Sequence, residues 1–248
     1  MMPKLDRCSR LVVALFVALT AHVSVGANVG FAQEKGAKQG NVATEPTETT
    51  PEVLAVQDVA LARQLAVYGH RTQSPEPFLA AARILVATPY REPALDREQK
   101  AHEGAEAGDP SLEKSTPPSL TVAELIAAAR QIAGDDENVL AMTAELEGSM
   151  EKGLLGGPIV HPDRVLAHTT DVYTFTFRGA ESAIIEVVGD GDTDLDCYVF
   201  DENDNLIDSD TDYTDHCILA WTPRWTGPFK LHIHNLGGIW NGYVLATN

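Results

Sequence analysis

The chain has 248 residues, and its 36 acidic side chains outnumber 18 basic ones to give a formal charge of −18. That balance opposes binding to phosphate backbones and to anionic lipid, both of which need basic patches, so no nucleic acid partner is expected. The length accommodates one or two domains.

The first 27 residues have the parts of a secretory signal. Lys4, Arg7 and Arg10 give a basic start, residues 11–21 (LVVALFVALTA) an apolar core, and small residues near Ala27 or Ala32 a cleavage site. An uncleaved anchor is the competing reading, but His22 and Ser24 leave the run short of a spanning helix, which needs roughly 20 apolar residues. Cys8 precedes the apolar core, where a lipidated cysteine would follow it. A secreted or periplasmic protein with no membrane contact after cleavage is expected. Residues 28–50 are polar, without apolar period, and read as a disordered leader.

Helix signals follow over 51–153. Thr50, Pro51 and Glu52 supply a cap, a first-turn proline and an early acid. Leu54, Leu61, Leu65 and Tyr68 then keep helical spacing to Gly69. Ser74, Pro75 and Glu76 repeat the start signal before FLAAARILVA (78–87). Residues 89–118 are charged and rich in proline and glycine, and read as a mobile insert. Thr121 and Glu124 form a capping box, LIAAARQIA runs to Gly134, and Asp135 or Asp136 caps a fourth helix. The shared AAAR of the second and third helices suggests two related helical hairpins. Close packing of alanines explains it most simply, with a peptide-binding groove as the alternative.

After Pro158 the apolar period changes from 3.6 to 2. Residues 172–177, 183–188, 195–200, 217–221, 229–234 and 243–247 read as strands separated by turns such as RGAE, GDGD and DENDN. Short strands at that spacing predict an all-β antiparallel sandwich, jelly-roll-like, over 158–248. The fold class is thus α+β as separate regions. Cys197 and Cys217 are an even pair in an oxidising compartment, and both fall on the face expected to point inward. A bridge would close a loop of about 20 residues and contribute roughly 3 kcal/mol; two buried free thiols are the alternative.

Residues of about 165–248 resemble the bacterial pre-peptidase C-terminal domain, a secreted β-sandwich often appended to exported proteases. The resemblance rests on VYTFTF, DTDLDCYVFDENDNLIDSD, WTPRWTGPFKLHI and the closing GYVL, in that order. It implies a sandwich and an association with secreted hydrolases. Two positions depart from the pattern: Cys197 stands at a strand position that is usually aliphatic, and Asp204 where the turn usually has glycine. Aspartate tolerates positive φ less well than glycine.

Eleven acids lie between Asp190 and Asp215, with no lysine or arginine among them. A helix-loop-helix calcium site fails, because Leu195 occupies the position that must turn sharply and Asp201 is too short for the bidentate role. A different calcium site is expected at the open ends of the 195–208 hairpin, from Asp190, Asp192 and Asp194 with Asp208, Asp210 or Asp212. A solvated acidic rim is the alternative. His232 and His234 share a strand face, with His216 as a third potential zinc ligand and no fourth in view. Trp221, Trp225 and Trp240 form either a ligand platform or part of the sandwich core and its corners. No nucleophile elbow, zinc-protease helix or phosphate loop occurs, and His102-Glu103 lacks a second histidine. The expectation is a non-catalytic exported protein that binds an unidentified protein or an envelope or extracellular polymer. The alternatives are an accessory subunit of a secreted hydrolase and a helical peptide-binding adaptor.

Overall fold

The computed structural model describes residues 38–45, 47–106, 108–109, 111–117, 119–149 and 157–248. The signal segment, its cleavage positions, Cys8 and the first part of the leader lie outside the described residues. Four helices, α1 (Pro51–Thr72), α2 (Pro75–Ala87), α3 (Val122–Ala133) and α4 (Glu137–Ser149), accompany nine strands. The strands are β1 (Glu98–Ala101), β2 (Ile159–Val165), β3 (Thr169–Phe177), β4 (Ala183–Val188), β5 (Leu195–Phe200), β6 (Leu206–Asp210), β7 (His216–Trp221), β8 (Gly227–Asn235) and β9 (Asn241–Thr247).

The helix starts are set by their caps. Thr50 Oγ1 accepts the Val53 amide and Thr121 Oγ1 the Glu124 amide, while Asp136 accepts the amides of Asn138 and Val139. α1 ends where Gln73 turns left-handed at φ 52°. The stripe chosen from sequence is not the buried one. Leu54, Leu61 and Tyr68 are 52, 46 and 50% exposed, and α1 buries Val53, Val56, Val59, Ala62 and Ala66 instead. Small residues on that face allow close approach of α2. A Cβ on Gly69 would stand 2.9 Å from the Phe78 ring. Ala81, Ala82 and Ala129 of the two AAAR copies are fully buried, consistent with tight helix packing.

The sheets run β1-β3-β8-β5-β6 and β2-β9-β4-β7, with every strand pairing antiparallel. Setting β1 aside, this is the two-sheet order of a jelly roll. Tyr173, Phe175, Phe229, Leu231, Leu195 and Val199 from one sheet meet Ile185, Val187, Leu219, Tyr243 and Leu245 from the other. Cys197 on β5 and Cys217 on β7 form a disulfide with Cα atoms 6.1 Å apart, tying the two sheets through the core.

The expected layout holds, with the helices in the N-terminal part and the antiparallel sandwich after them. The helices share a core with Val160, Ile184, Val244 and Ala246 of the four-stranded sheet, and residues 38–248 form one compact unit. Two expectations need correction. The 89–118 segment is built into the sandwich. β1 pairs with β3, Arg91 exchanges backbone bonds with Pro158 and Val160, and the Tyr90 hydroxyl donates to the Leu120 carbonyl. The end of the leader is stitched down as well. Asn41 is fully buried, its amide donates to Asp201, and its side-chain oxygen accepts the amides of Arg224 and Trp225.

Candidate functional site: the open face of the five-stranded sheet

Side chains alternate along a strand, so positions that do not enter the core form the outer face. Backbone register sets these outward residues in rows. Lys100, Thr170, His234 and Asp196 make one row; Glu98, Val172, His232 and Tyr198 the next; Thr174, Lys230 and Phe200 a third. Rings dominate the middle. His234 lies 5.0 Å from Tyr198 and 5.5 Å from His102, and His232 lies 4.9 Å from Phe200, by ring centroids. A groove of about 830 Å³ opens beside them, lined by Leu95, Arg97, Lys100, Thr174, Phe200, Lys230 and His232 among others.

The charges around the groove are mostly answered locally. Lys230 pairs with Asp204 at 2.8 Å and Lys100 with Glu98 at 3.2 Å. Burial, reinforced by His102 and His232, pushes the His234 imidazole down from its ordinary 6.5 to about 4. Burial and the ammonium groups of Lys100 and Lys230 lower His232 too. Both rings are therefore neutral near pH 7, each able to give and take a hydrogen bond.

The wall of the groove is held by a buried polar network. Asp171, with no exposure, accepts from Gln99 Nε2 at 2.8 Å, the Tyr243 hydroxyl at 2.9 Å and Arg97 Nη1 at 3.3 Å. Arg97 also reaches Asp163 at 2.9 Å. Burial raises the Asp171 carboxyl despite the opposing hydrogen bonds of Gln99 and Tyr243 and the charge of Arg97. Arg97 and Gln99 come from the segment read as a mobile insert, and they fasten β1 to the sheet.

The six aspartates expected to share calcium do not converge. Asp190 and Asp192 grip the Lys114 ammonium at 2.8 and 2.9 Å. Asp208 accepts the amides of Ser209 and Ala220, Asp210 accepts that of Ile218, and Asp212 accepts both the hydroxyl and the backbone N–H of Thr214. Burial first, then the charges of Asp196, Asp212 and Asp215, raises Asp194. Among the described residues no group of three or more His, Cys, Asp or Glu is arranged to hold a metal ion. The physical reason is that β7 is an edge strand whose outward amides need acceptors, and the β6 carboxylates supply them. Calcium at Asp190 and Asp192 would have to displace Lys114.

The other sequence-derived groups also separate. His216 sits on β7 against Glu186 and Gln64, away from His232 and His234, whose added neighbour is His102. Trp221 is core, packed edge-on to Phe177 at 4.8 Å. Trp225 donates to Glu202, and Trp240 donates to the Leu112 carbonyl under the Lys114 ammonium. The three tryptophans make no platform. Asp204 does adopt the positive φ expected of it, 60°. Asp201 is fully buried and organises its turn. Burial alone would raise its carboxyl, but bonds from Asn205, Asn41 and Asn203 outweigh that and hold it low.

No protein-family model matches the chain, and no curated protein matches it. Among solved structures, it is similar to the pre-peptidase C-terminal domain of a collagenase from Bacillus anthracis. Identity there is 20%, with 38% of this chain and 90% of that one covered and a TM-score of 0.28. It is also similar to the C-terminal carbohydrate-binding module (CBM6) of LamC, a laminarinase from Zobellia galactanivorans. That overlap has 10% identity, 34% and 78% coverage and a TM-score of 0.23. Both likenesses take in little more than a third of this chain.

Proposed function

We propose that this protein is an exported, non-catalytic binding protein whose open sheet face, with its ring cluster beside a groove that Phe200 and His232 help to line, takes a neutral polymer segment of the envelope or extracellular space. One observation carries the reading: the outer face of one sheet is roofed by helices, while that of the other is left open with His102, His232, His234, Tyr198 and Phe200 gathered on it. Five rings on an open face contribute nothing to either core. Neutral imidazoles and aromatic faces suit a ligand that offers flat apolar surface together with hydroxyl or amide groups. Export is supported by the signal-like first 27 residues and by the Cys197–Cys217 bridge. Calcium has no part in this reading, since Lys114 and the β7 amides already hold the carboxylates expected to bind it. Among the described residues no helix is long and apolar enough to cross a membrane.

The test is a titration of the mature chain with neutral polysaccharides and with unstructured peptides, alongside a Phe200→Ala/His232→Ala double variant. Binding that weakens at least tenfold in the double variant, about 1.4 kcal/mol, is the expected result. Undiminished binding, or no binding to either polymer class, removes the reading.

A further inference from the structure

Lys114 is the only lysine or arginine between Lys100 and Arg130. Its ammonium has three acceptors and one ring. It lies 2.8 Å from Asp190 Oδ2 and 2.9 Å from Asp192 Oδ2, donates to the Trp240 carbonyl at 2.6 Å, and sits 4.1 Å from the centre of the Trp240 ring. Three donors meet three oxygens, and an indole face closes the fourth side, which is the full coordination a primary ammonium can use. The site is deep. The Asp190 side chain is 1% exposed and that of Lys114 11%, and Asp190 Oδ1 is buried without a hydrogen-bond partner.

The segment that delivers this lysine lies on the surface. Ser111, Leu112, Glu113, Ser115 and Thr116 are all exposed, so one side chain alone goes in. The indole N–H of Trp240 donates to the Leu112 carbonyl at 2.6 Å, reading the backbone two residues before the lysine. A deep charged side chain on an exposed, backbone-clasped segment is how a short peptide docks to a receptor. The net charge of −18 would also draw a lysine-bearing chain toward the site.

We propose that the indole–dicarboxylate pocket formed by Asp190, Asp192 and Trp240 is a receptor for a lysine side chain, filled in cis by Lys114 and open to a lysine of a partner polypeptide when residues 111–116 lift. A flexible tether presents its own ligand at an effective concentration on the order of millimolar, so an outside lysine competes only at or above that level. The proposal does not depend on the open sheet face.

The experiment titrates the full chain and its Lys114→Ala variant with a Gly-Gly-Lys-Gly-Gly peptide, followed by tryptophan fluorescence and calorimetry. A norleucine peptide serves as the uncharged control. The variant should bind the lysine peptide at least tenfold more tightly than the parent does and ignore the norleucine peptide. Adding Asp192→Asn to the variant should weaken that binding at least tenfold. Should Lys114→Ala fail to fold, Lys114→Met keeps the aliphatic stem over Trp240 without the charge and replaces it. Equal affinity of parent and variant, equal affinity for both peptides, or indifference to Asp192→Asn would overturn the proposal.

Discussion

On the four-stranded sheet the outward positions Val160, Ile184, Val244 and Ala246 are apolar and lie within the helical core, whereas outward positions on the five-stranded sheet, Val172 apart, are imidazole, aromatic, threonine, lysine and carboxylate. Both sheets send the same kind of residue inward. The burial patterns record the difference: β4 is buried at all six positions, while β5 alternates buried with half-buried. A strand covered on both faces reads as a continuous apolar run, and one with a free face alternates. The helices therefore do for one sheet what a ligand is proposed to do for the other, and they cannot be removed as an independent module. Deleting 51–153 would bare the outer face of β4 and β9 and also remove β1, so it is no clean test of an adaptor role.

The largest expected effect breaks this contrast directly. Ile184→Asp places a carboxylate in the helix-covered core with no partner, and it should cost roughly 4 kcal/mol or more, against a usual domain stability of about 5–15 kcal/mol. Thr174→Asp, exposed beside Lys230 on the open face, should stay within about 0.5 kcal/mol of the parent. Urea denaturation of the two variants reads the difference. Equal losses would mean that the two outer faces are not differently covered.

A smaller effect belongs to the edge of the open face. Arg97→Ala leaves the Asp171 carboxylate buried beside Asp163 without its cation, at a cost of about 3 kcal/mol. Because Arg97 directly precedes β1, the amides of Glu98–Ala101 should also lose protection in hydrogen exchange, ahead of any change in β8. Loss of stability with β1 protection intact would show that the network serves the core alone and does not fasten the strand.

The same contrast explains what was legible in the sequence. AIIEVV and the alternation of LDCYVF and FKLHIH are local patterns, and they gave the strands, the inward cysteines and the outward histidines correctly. The helix boundaries were readable because Thr50, Pro51, Thr121 and Gly134 act on their own neighbours. β1 was not readable: EQKA is exposed at every position, and it is a strand only because Arg97 and Gln99 reach Asp171 more than 70 residues later. β2 was hidden by Pro162, which an edge strand tolerates, and by its charged residues. The contacts of the aspartates were unreadable for the same reason. Their partners are a lysine at 114 and amides on a different sheet, and spacing within the acidic run says nothing about either. On α1, large residues at helical spacing suggested the buried face, but close packing on α2 selected the valine and alanine face and left Leu54, Leu61 and Tyr68 outside, with Leu65 half-buried.

The smallest effect concerns protons on the open face. His234 keeps its imidazole neutral down to about pH 4, because burial, His102 and His232 all oppose its charge. Unfolded, the same ring takes a proton near pH 6.5. Between those values the unfolded chain holds a proton that the folded chain does not, so stability falls as pH drops from about 6.5 toward 4 and is level above that window. Asp171 and Asp208 act in the opposite sense. Burial raises both carboxyls, so their contribution is present at low pH and lost as pH rises through their folded values. The two trends overlap near pH 4, which makes the total profile a poor witness and the difference between parent and His234→Gln the useful one. That difference should be flat above pH 6.5 and should grow steadily below it in favour of the variant, measured by thermal melting in matched buffers. His232, lowered by burial and by Lys100 and Lys230, leaves a weaker slope of the same sign in the variant. If parent and variant instead lose stability in parallel below pH 6.5, His234 is charging freely in the folded protein, and the ring cluster beside the groove is not the neutral surface from which its ligand was inferred.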